Sequence, residues 1–253
     1  VTLIKNETYW NGTPHLDTIY VKTITDGDTM TMAMQSGELD AAYGLPYASL
    51  PLFKNEPYTI SSCETSRSFF AQMNYATEAL QDDDVRAAIA SAIDKENFTS
   101  VLMDGNGTAA VGPFPASFTF GDDTVTAESY DPAKAKELLK KAGWTDTDGD
   151  GYVDKNGKKL TIRWLTYPSR QELPLLAESV QATMKDVGID IQVNCTANHQ
   201  DYLDKGDWDI FAGAFVSAPT GDPEYFFTTH CLDSSTKNRG GYHSDALEAL
   251  EKQ

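Results

Sequence analysis

The sequence predicts an α/β fold, a mostly parallel sheet with flanking helices, and three observations in the stretch 160–222 predict it. LTIRWLTY (160–167), IDIQVNC (189–195) and WDIFAGAF (208–215) are short and rich in β-branched or aromatic residues, which marks them as strands. Helical runs separate them. Gln171 to Val187 carries Leu175, Leu176, Val180, Met184 and Val187 at helical spacing, with Gly188 where a left-handed cap belongs, and His199 to Lys205 reads as a shorter helix. Strands that alternate with helices need crossover connections, which are right-handed and leave the strands parallel. In such open sheets small ligands collect beyond the carboxyl ends of the strands. Two loops fall there, Tyr167–Arg170 and Ser217–Asp222, so Arg170, Ser217, Thr220 and Asp222 are candidate ligand-binding residues.

Upstream, a short strand over 1–5 leads to the Asn11-Gly12 turn, and LDTIYVKTI (16–24) alternates as a second strand. Asp28 to Ser36 is expected to be a helix, capped by Asp26 or Asp28 and stopped at Gly37. A short strand over Leu39–Ala42 and a helix-like turn over Tyr47–Asn55 follow. SRSFFAQMN (66–74) reads as a strand, with Arg67 expected to be half-buried and in need of an anion or several acceptors. Asp82, Asp83 and Asp84 open a helix whose apolar face is Val85, Ala88, Ile89, Ala92, Ile93 and Val101, ending at Gly105. The long aromatic and Pro-rich loop 108–129 is either functional or packed over another surface. Asp131-Pro132 starts a helix that Gly143 closes, and the chain finishes with helices from Asp222 to about Thr229 and from Ser244.

The 253 residues suffice for a large core, and 40% hydrophobic with 11% aromatic residues is a folded composition. A net charge of −18 disfavours nucleic acid and anionic lipid as partners, because both would be repelled. No apolar run approaches the roughly 18 residues that a membrane span needs. The opening VTLIKNETYW reads as mid-strand and the closing DALEALEKQ as an unfinished helix, so the chain is expected to be an excised piece of a longer protein. The three cysteines have no zinc-like spacing. Cys195 is expected to be a small buried hydrophobe, and Cys63–Cys231 and Cys195–Cys231 disulfides both stay open.

Asp146-Thr-Asp148-Gly-Asp150-Gly-Tyr-Val-Asp154 copies the first half of an EF-hand loop, but Gly157 stands where the bidentate Glu belongs. It reads as a solvated acidic turn, with a weak calcium site as the alternative. His230 and His243 lie near the ligand-side loops and are weak candidates for one metal ligand each, since no pair of histidines has metal-binding spacing. There is no phosphate loop, no nucleophile elbow and no assignable acid–base pair, so a hydrolase has no named machinery and no cofactor is expected. Arg67, Arg170 and Arg239, the last in NRGGY with Tyr242, are three guanidinium groups. Each alone reads as an ordinary salt bridge, and as a set they suit a small anionic or zwitterionic solute.

Several segments together carry a resemblance. NETYWNGTPHLDTIYVKTI (6–24), AMQSGELDAA (33–42), DDDVRAAIASAIDKENF (82–98), YDPAKAKELLKKAGWTDTDGDGYVDKNGKKLTI (130–162) and TGDPEYFF (220–227) are similar to family 5 of the extracellular solute-binding proteins of ABC transporters, which captures oligopeptides, dipeptides and nickel or its chelates. The resemblance covers nearly the whole chain. It implies a periplasmic-binding-protein-like fold (type II, cluster C), with residues 1–70 part of lobe one and 71–253 most of lobe two. It also implies an extracytoplasmic location, a membrane permease as partner and no enzymatic activity; a monomer is expected.

The peptide-binding members hold the peptide amine with an Asp where this chain has Pro219, and nickel-binding aromatic residues are replaced near Ser217 and Gly221. TYPSRQELPLLAE (166–178) with SAPTGDPEYFF looks most like members for nickel or metallophore uptake, and Arg67 falls where those members grip a carboxylate. The resemblance therefore implies a nickel chelate or metallophore as solute, with a di- or oligopeptide as the alternative. The ligand-binding residues would be Arg67, Arg170, Arg239, Ser217, Thr220, Asp222 and Tyr242.

Overall fold

The computed structural model describes residues 1–55, 57–121 and 125–251, so part of the loop 108–129 and the last two residues lie outside the described residues. The chain forms two compact units, Val1–Ile60 and Ser61–Gln253. The division falls ten residues ahead of the boundary expected between residues 70 and 71.

The first unit is small. Strands β1 (Thr2–Ile4) and β2 (Thr18–Tyr20) pair antiparallel, and helix α1 (Gly27–Gln35) starts where Asp26 accepts the Thr29 N–H at 2.8 Å. β2 is shorter than its alternating sequence suggested, and Leu39–Ala42 is not a strand. A 3-10 helix over Tyr47–Phe53 packs Phe53 edge-on against Tyr58.

The second unit holds a four-stranded sheet in the order β3 (Arg67–Met73), β8 (Ile210–Val216), β6 (Thr161–Thr166), β7 (Asp190–Cys195). β6 runs parallel to both neighbours, and β3 is an antiparallel edge strand, so the sheet is mostly parallel as expected. Alternation gives the sheet two different faces. Phe69, Ala71, Met73, Ile162, Trp164, Ile191, Ile210 and Ala212 face the main core, which α2 (Asp83–Ser91), α4 (Pro132–Lys141) and α5 (Glu172–Asp186) cover. Leu165 and Phe211 on the other face meet Leu203 and Trp208 in a smaller cluster. Here α6 (His199–Lys205) and α7 (Glu224–His230) lie.

Local chemistry explains the helix ends. Asp82, Asp131 and Ser244 accept N–H groups at the starts of α2, α4 and α8 (Asp245–Leu250), and Gly188 turns the chain out of α5 with φ +85°. Three expectations fail. The helix from Asp82 does not run to Val101: it stops at Ser91, restarts as α3 (Lys95–Asn97) where Asp94 caps it, and loosens into a π turn over Phe98–Leu102. Val101 is consequently exposed. The buried stripe of α5 is Leu173, Ala177, Val180 and Met184, with Leu175 on the outer side. Cys195 ends the edge strand β7 and is exposed rather than buried, and all three cysteines are free thiols. Among the described residues no helix is long and apolar enough to cross a membrane.

Candidate functional site

The carboxyl ends of the three parallel strands and the start of β3 share one edge of the sheet. β6 and β8 pair only through Trp164–Ile210 and Leu165–Phe211, and then diverge. Side chains from β6 and its exit complete the backbone hydrogen bonding that the divergence interrupts: the Thr166 hydroxyl donates to Ala212 O at 3.0 Å, and the Tyr167 hydroxyl accepts the Ala214 N–H at 3.1 Å. Beside this divergence, on the less covered face, lies a hollow of about 350 Å³. Its floor is Gln72, Phe211, Ala214 and Phe215. His199 and Gln200 at the start of α6 wall one side, and Tyr225, His230, Lys237 and Arg239 line it as well.

The floor depends on Gly213, between the two phenylalanines. A Cβ there would sit 2.8 Å from the Phe215 ring and 3.4 Å from the Phe211 ring. Arg239 is placed by its neighbour Gly240, whose backbone lies so close to the end of β3 that a Cβ would be 2.1 Å from Met73 O. The Tyr75 N–H donates to Gly240 O at 2.8 Å and fixes that contact. α7 begins where Asp222 accepts the Glu224 N–H at 3.0 Å, and it ends on His230. His230 packs against Phe70, Phe215 and Phe226. Burial, with the Lys237 charge nearby, pushes its pKa down to about 4, so it is neutral at pH 7.

Among the described residues no Asp or Glu lines the hollow, although the chain carries 38 acidic and 20 basic residues. Lys237 and Arg239 are its charged groups. Arg239 donates to Gln200 Oε1 at 3.2 Å, and among the described residues it has no carboxylate partner.

The sequence-derived candidates divide. Arg239 lines the hollow; Arg67 and Arg170 do not. Arg67 is exposed rather than half-buried, because it opens the edge strand, and by alternation it belongs to the face of Phe69, Ala71 and Met73. Arg170 is exposed in the turn before α5. Ser217 is fully buried and structural in its contacts, its hydroxyl and its N–H both reaching Ser66 O. Thr220 is exposed, Asp222 starts α7, and Tyr242 packs edge-on against Tyr75. His243 lies between Asp233 and Asp245, which push its pKa up, away from His230's aromatic surroundings.

The acidic turn folds on itself. Asp146 accepts the N–H groups of Gly149 and Gly151, Asp154 accepts from Thr147, and Asp150 pairs with Lys159 at 2.6 Å. Carboxylate oxygens of Asp146, Asp148 and Asp154 lie within 4.8 Å of one another. Gly157 is not a ligand position but the second residue of an Asn-Gly hairpin turn joining β4 (Asp154–Lys155) to β5 (Lys158–Lys159). The loop 108–121 packs rather than gaping: Phe114 meets Phe226 and Phe227, and Ser68 donates to Pro113 O.

Sequence reasoning missed Gln72, His199, Gln200 and Lys237 as site residues. The alternation Phe211–Gly213–Phe215 was the available signal for the floor; nothing local marks the walls.

Residues 1–238 match the model of the bacterial extracellular solute-binding proteins, family 5, middle portion. The oligopeptide-binding protein AppA of Bacillus subtilis is 32% identical over 197 residues, which is 76% of this chain and 36% of AppA. The nickel-binding periplasmic protein of Escherichia coli is 29% identical over 195 residues, 75% of this chain and 37% of that protein. The crystal structure of NikA from Staphylococcus aureus with Ni(L-His)2 superposes with a TM-score of 0.80 at 25% identity, covering 100% of this chain and 52% of that one. The chain thus spans about half or less of the length of these relatives.

Proposed function

The chain belongs to the bacterial extracellular solute-binding proteins of family 5, and we propose that the whole protein is the receptor of an ABC importer, capturing a small carboxylate-bearing solute outside the cytoplasm for a membrane permease. The observation that carries this reading is the hollow on the less covered face of the sheet, beside the divergence of β6 and β8. It is lined by Lys237 and Arg239, amide groups and aromatic rings, and among the described residues by no carboxylate, in a chain of net charge −18. A concave site in which aromatic rings surround a few convergent polar groups is a form that small-molecule sites take. Guanidinium and ammonium groups there suit a carboxylate.

The solute we favour is a nickel chelate or metallophore, whose carboxylates would be neutralised by arginine. Arg239 serves from the hollow, and the exposed Arg170 would contribute from the loop after β6. In this reading Ser61–Gln253 is most of one lobe, Val1–Ile60 is part of the other, and the protein acts as a monomer. The likeness to AppA supports a second reading, a di- or oligopeptide.

Native mass spectrometry of the full-length protein against nickel–histidine, nickel–citrate and peptides of two to nine residues tests both. Retention of a nickel complex supports the first reading and retention of peptides alone the second. Retention of nothing removes the receptor reading.

A further inference from the structure

Three buried side-chain polar atoms lack a hydrogen-bond partner among the described residues: Gln72 Oε1, Trp164 Nε1 and His199 Nδ1. Trp164 sits in the main core, but Gln72 and His199 both line the hollow. Buried polar atoms are nearly always paired, so two orphans in one hollow need an explanation.

The Gln72 amide cannot be turned to remove the problem. Its Nε2 lies 3.2 Å from Lys237 O, which only accepts, and 3.2 Å from His230 Nδ1. The Lys237 carbonyl therefore fixes which end is the amino group, and the atom left over is the carbonyl oxygen, an acceptor waiting for a donor. His230 is neutral at pH 7 and brings no cation of its own. The Lys237 carbonyl that fixes Gln72 belongs to the same short loop as Arg239. Arg239 gives one N–H to Gln200 Oε1, which holds the guanidinium while leaving its other donors unused among the described residues. Across the hollow the His199 ring stacks on Tyr167, centroids 4.5 Å apart at 28°, and runs nearly parallel to Phe211 at 11°. This flat wall holds the orphan Nδ1.

We propose that the hollow is a subsite for one amino-acid unit of the solute: a carboxylate held by Arg239 and Lys237, and an N–H group donating to Gln72 Oε1. This rests on the receptor reading and deepens it. The unit can be the C-terminal residue of a peptide or an amino acid chelating a metal, and the chemistry on the protein side is the same. A volume of about 350 Å³ holds one such unit, near the lower end of the roughly 300–1,000 Å³ of ligand pockets.

The test is calorimetry on the full-length protein at low salt with four probes: nickel with L-histidine, nickel with L-histidinamide, and tetraalanine as free acid and as C-terminal amide. The expected result is that one acid probe binds at least tenfold more tightly than its own amide. Arg239→Gln should bring that ratio below threefold, and Lys237→Gln should lower it less. Lys136→Gln, the same charge change on the exposed side of α4, should leave it unaltered. If an acid probe binds and Arg239→Gln keeps the tenfold preference, the subsite is wrong while the receptor reading stands. Binding of neither acid probe also overturns the subsite. Retention of no solute in the mass-spectrometry screen overturns the receptor reading, and the subsite with it.

Discussion

Replacing Arg163 by Met tests the polar joint that holds β6, β8 and the exit of β3 together. Asp209 is 5% exposed. Its carboxylate accepts the Arg163 backbone N–H at 2.8 Å, Arg163 Nε at 3.0 Å, Arg163 Nη2 at 2.7 Å and the Thr77 hydroxyl at 2.8 Å. Burial pushes the Asp209 pKa up, but Arg163's side chain and backbone and the Thr77 hydroxyl outweigh it and hold the carboxyl below its ordinary range. Arg163→Met keeps the aliphatic stem and the backbone bond while removing the countercharge and two hydrogen bonds. Breaking a buried pair from one side costs about 3–5 kcal/mol. The Arg163 side chain is 43% exposed, so water reaches that side and the lower end, about 3 kcal/mol, applies. Asp209→Asn should cost less, because Arg163 keeps its contact with Asp207. The double variant should recover part of the loss.

Urea unfolding followed by circular dichroism measures all three variants at pH 7 and pH 4. In the wild type the depressed pKa contributes stability that is present above the unfolded value and lost as pH falls through the folded one. In Arg163→Met the carboxyl loses its partner and its pKa rises, so the penalty is full at pH 7 and shrinks once the group is protonated. A loss below about 1 kcal/mol at pH 7, or one that stays constant down to pH 4, would refute the reasoning.

Three further perturbations follow from the same geometry. His230 has its pKa lowered to about 4, so the unfolded chain binds the proton first and stability should fall as pH drops from about 6.5 to 4, by up to about 3 kcal/mol. His230→Gln should flatten that slope in pH-dependent urea melts, and an unchanged slope would assign it elsewhere. Asp131→Ala removes the cap that accepts the Lys134 N–H at 2.9 Å and should cost about 1 kcal/mol, read as a lower Tm. Gly188→Ala forces a Cβ to 3.0 Å from Val153 Cγ1 at φ +85° and should cost at least about 1–2 kcal/mol; a neutral result would mean the turn can relax.

The residues by themselves determined the fold class, the three parallel strands and most helix starts. These signals are local: alternation in LTIRWLTY, the Asp131-Pro132 start, the positive-φ Gly188. Of the three arginines they singled out, Arg239 lies in the lining of the hollow, which sits on the face of the sheet and not in the loops beyond its strands. The tertiary structure decided which side chains meet there. Gln72, His199, Phe215 and Arg239 come from four separate segments, brought together by an antiparallel edge strand and the early divergence of β6 from β8. It also put Arg67 on the other face and broke the helix after Ser91. A side chain's periodicity is set by its own backbone, whereas its neighbours across the sheet are set by pairings between distant segments, 29 residues apart at Thr161–Asp190 and 139 at Gln72–Phe211, and no local pattern encodes those.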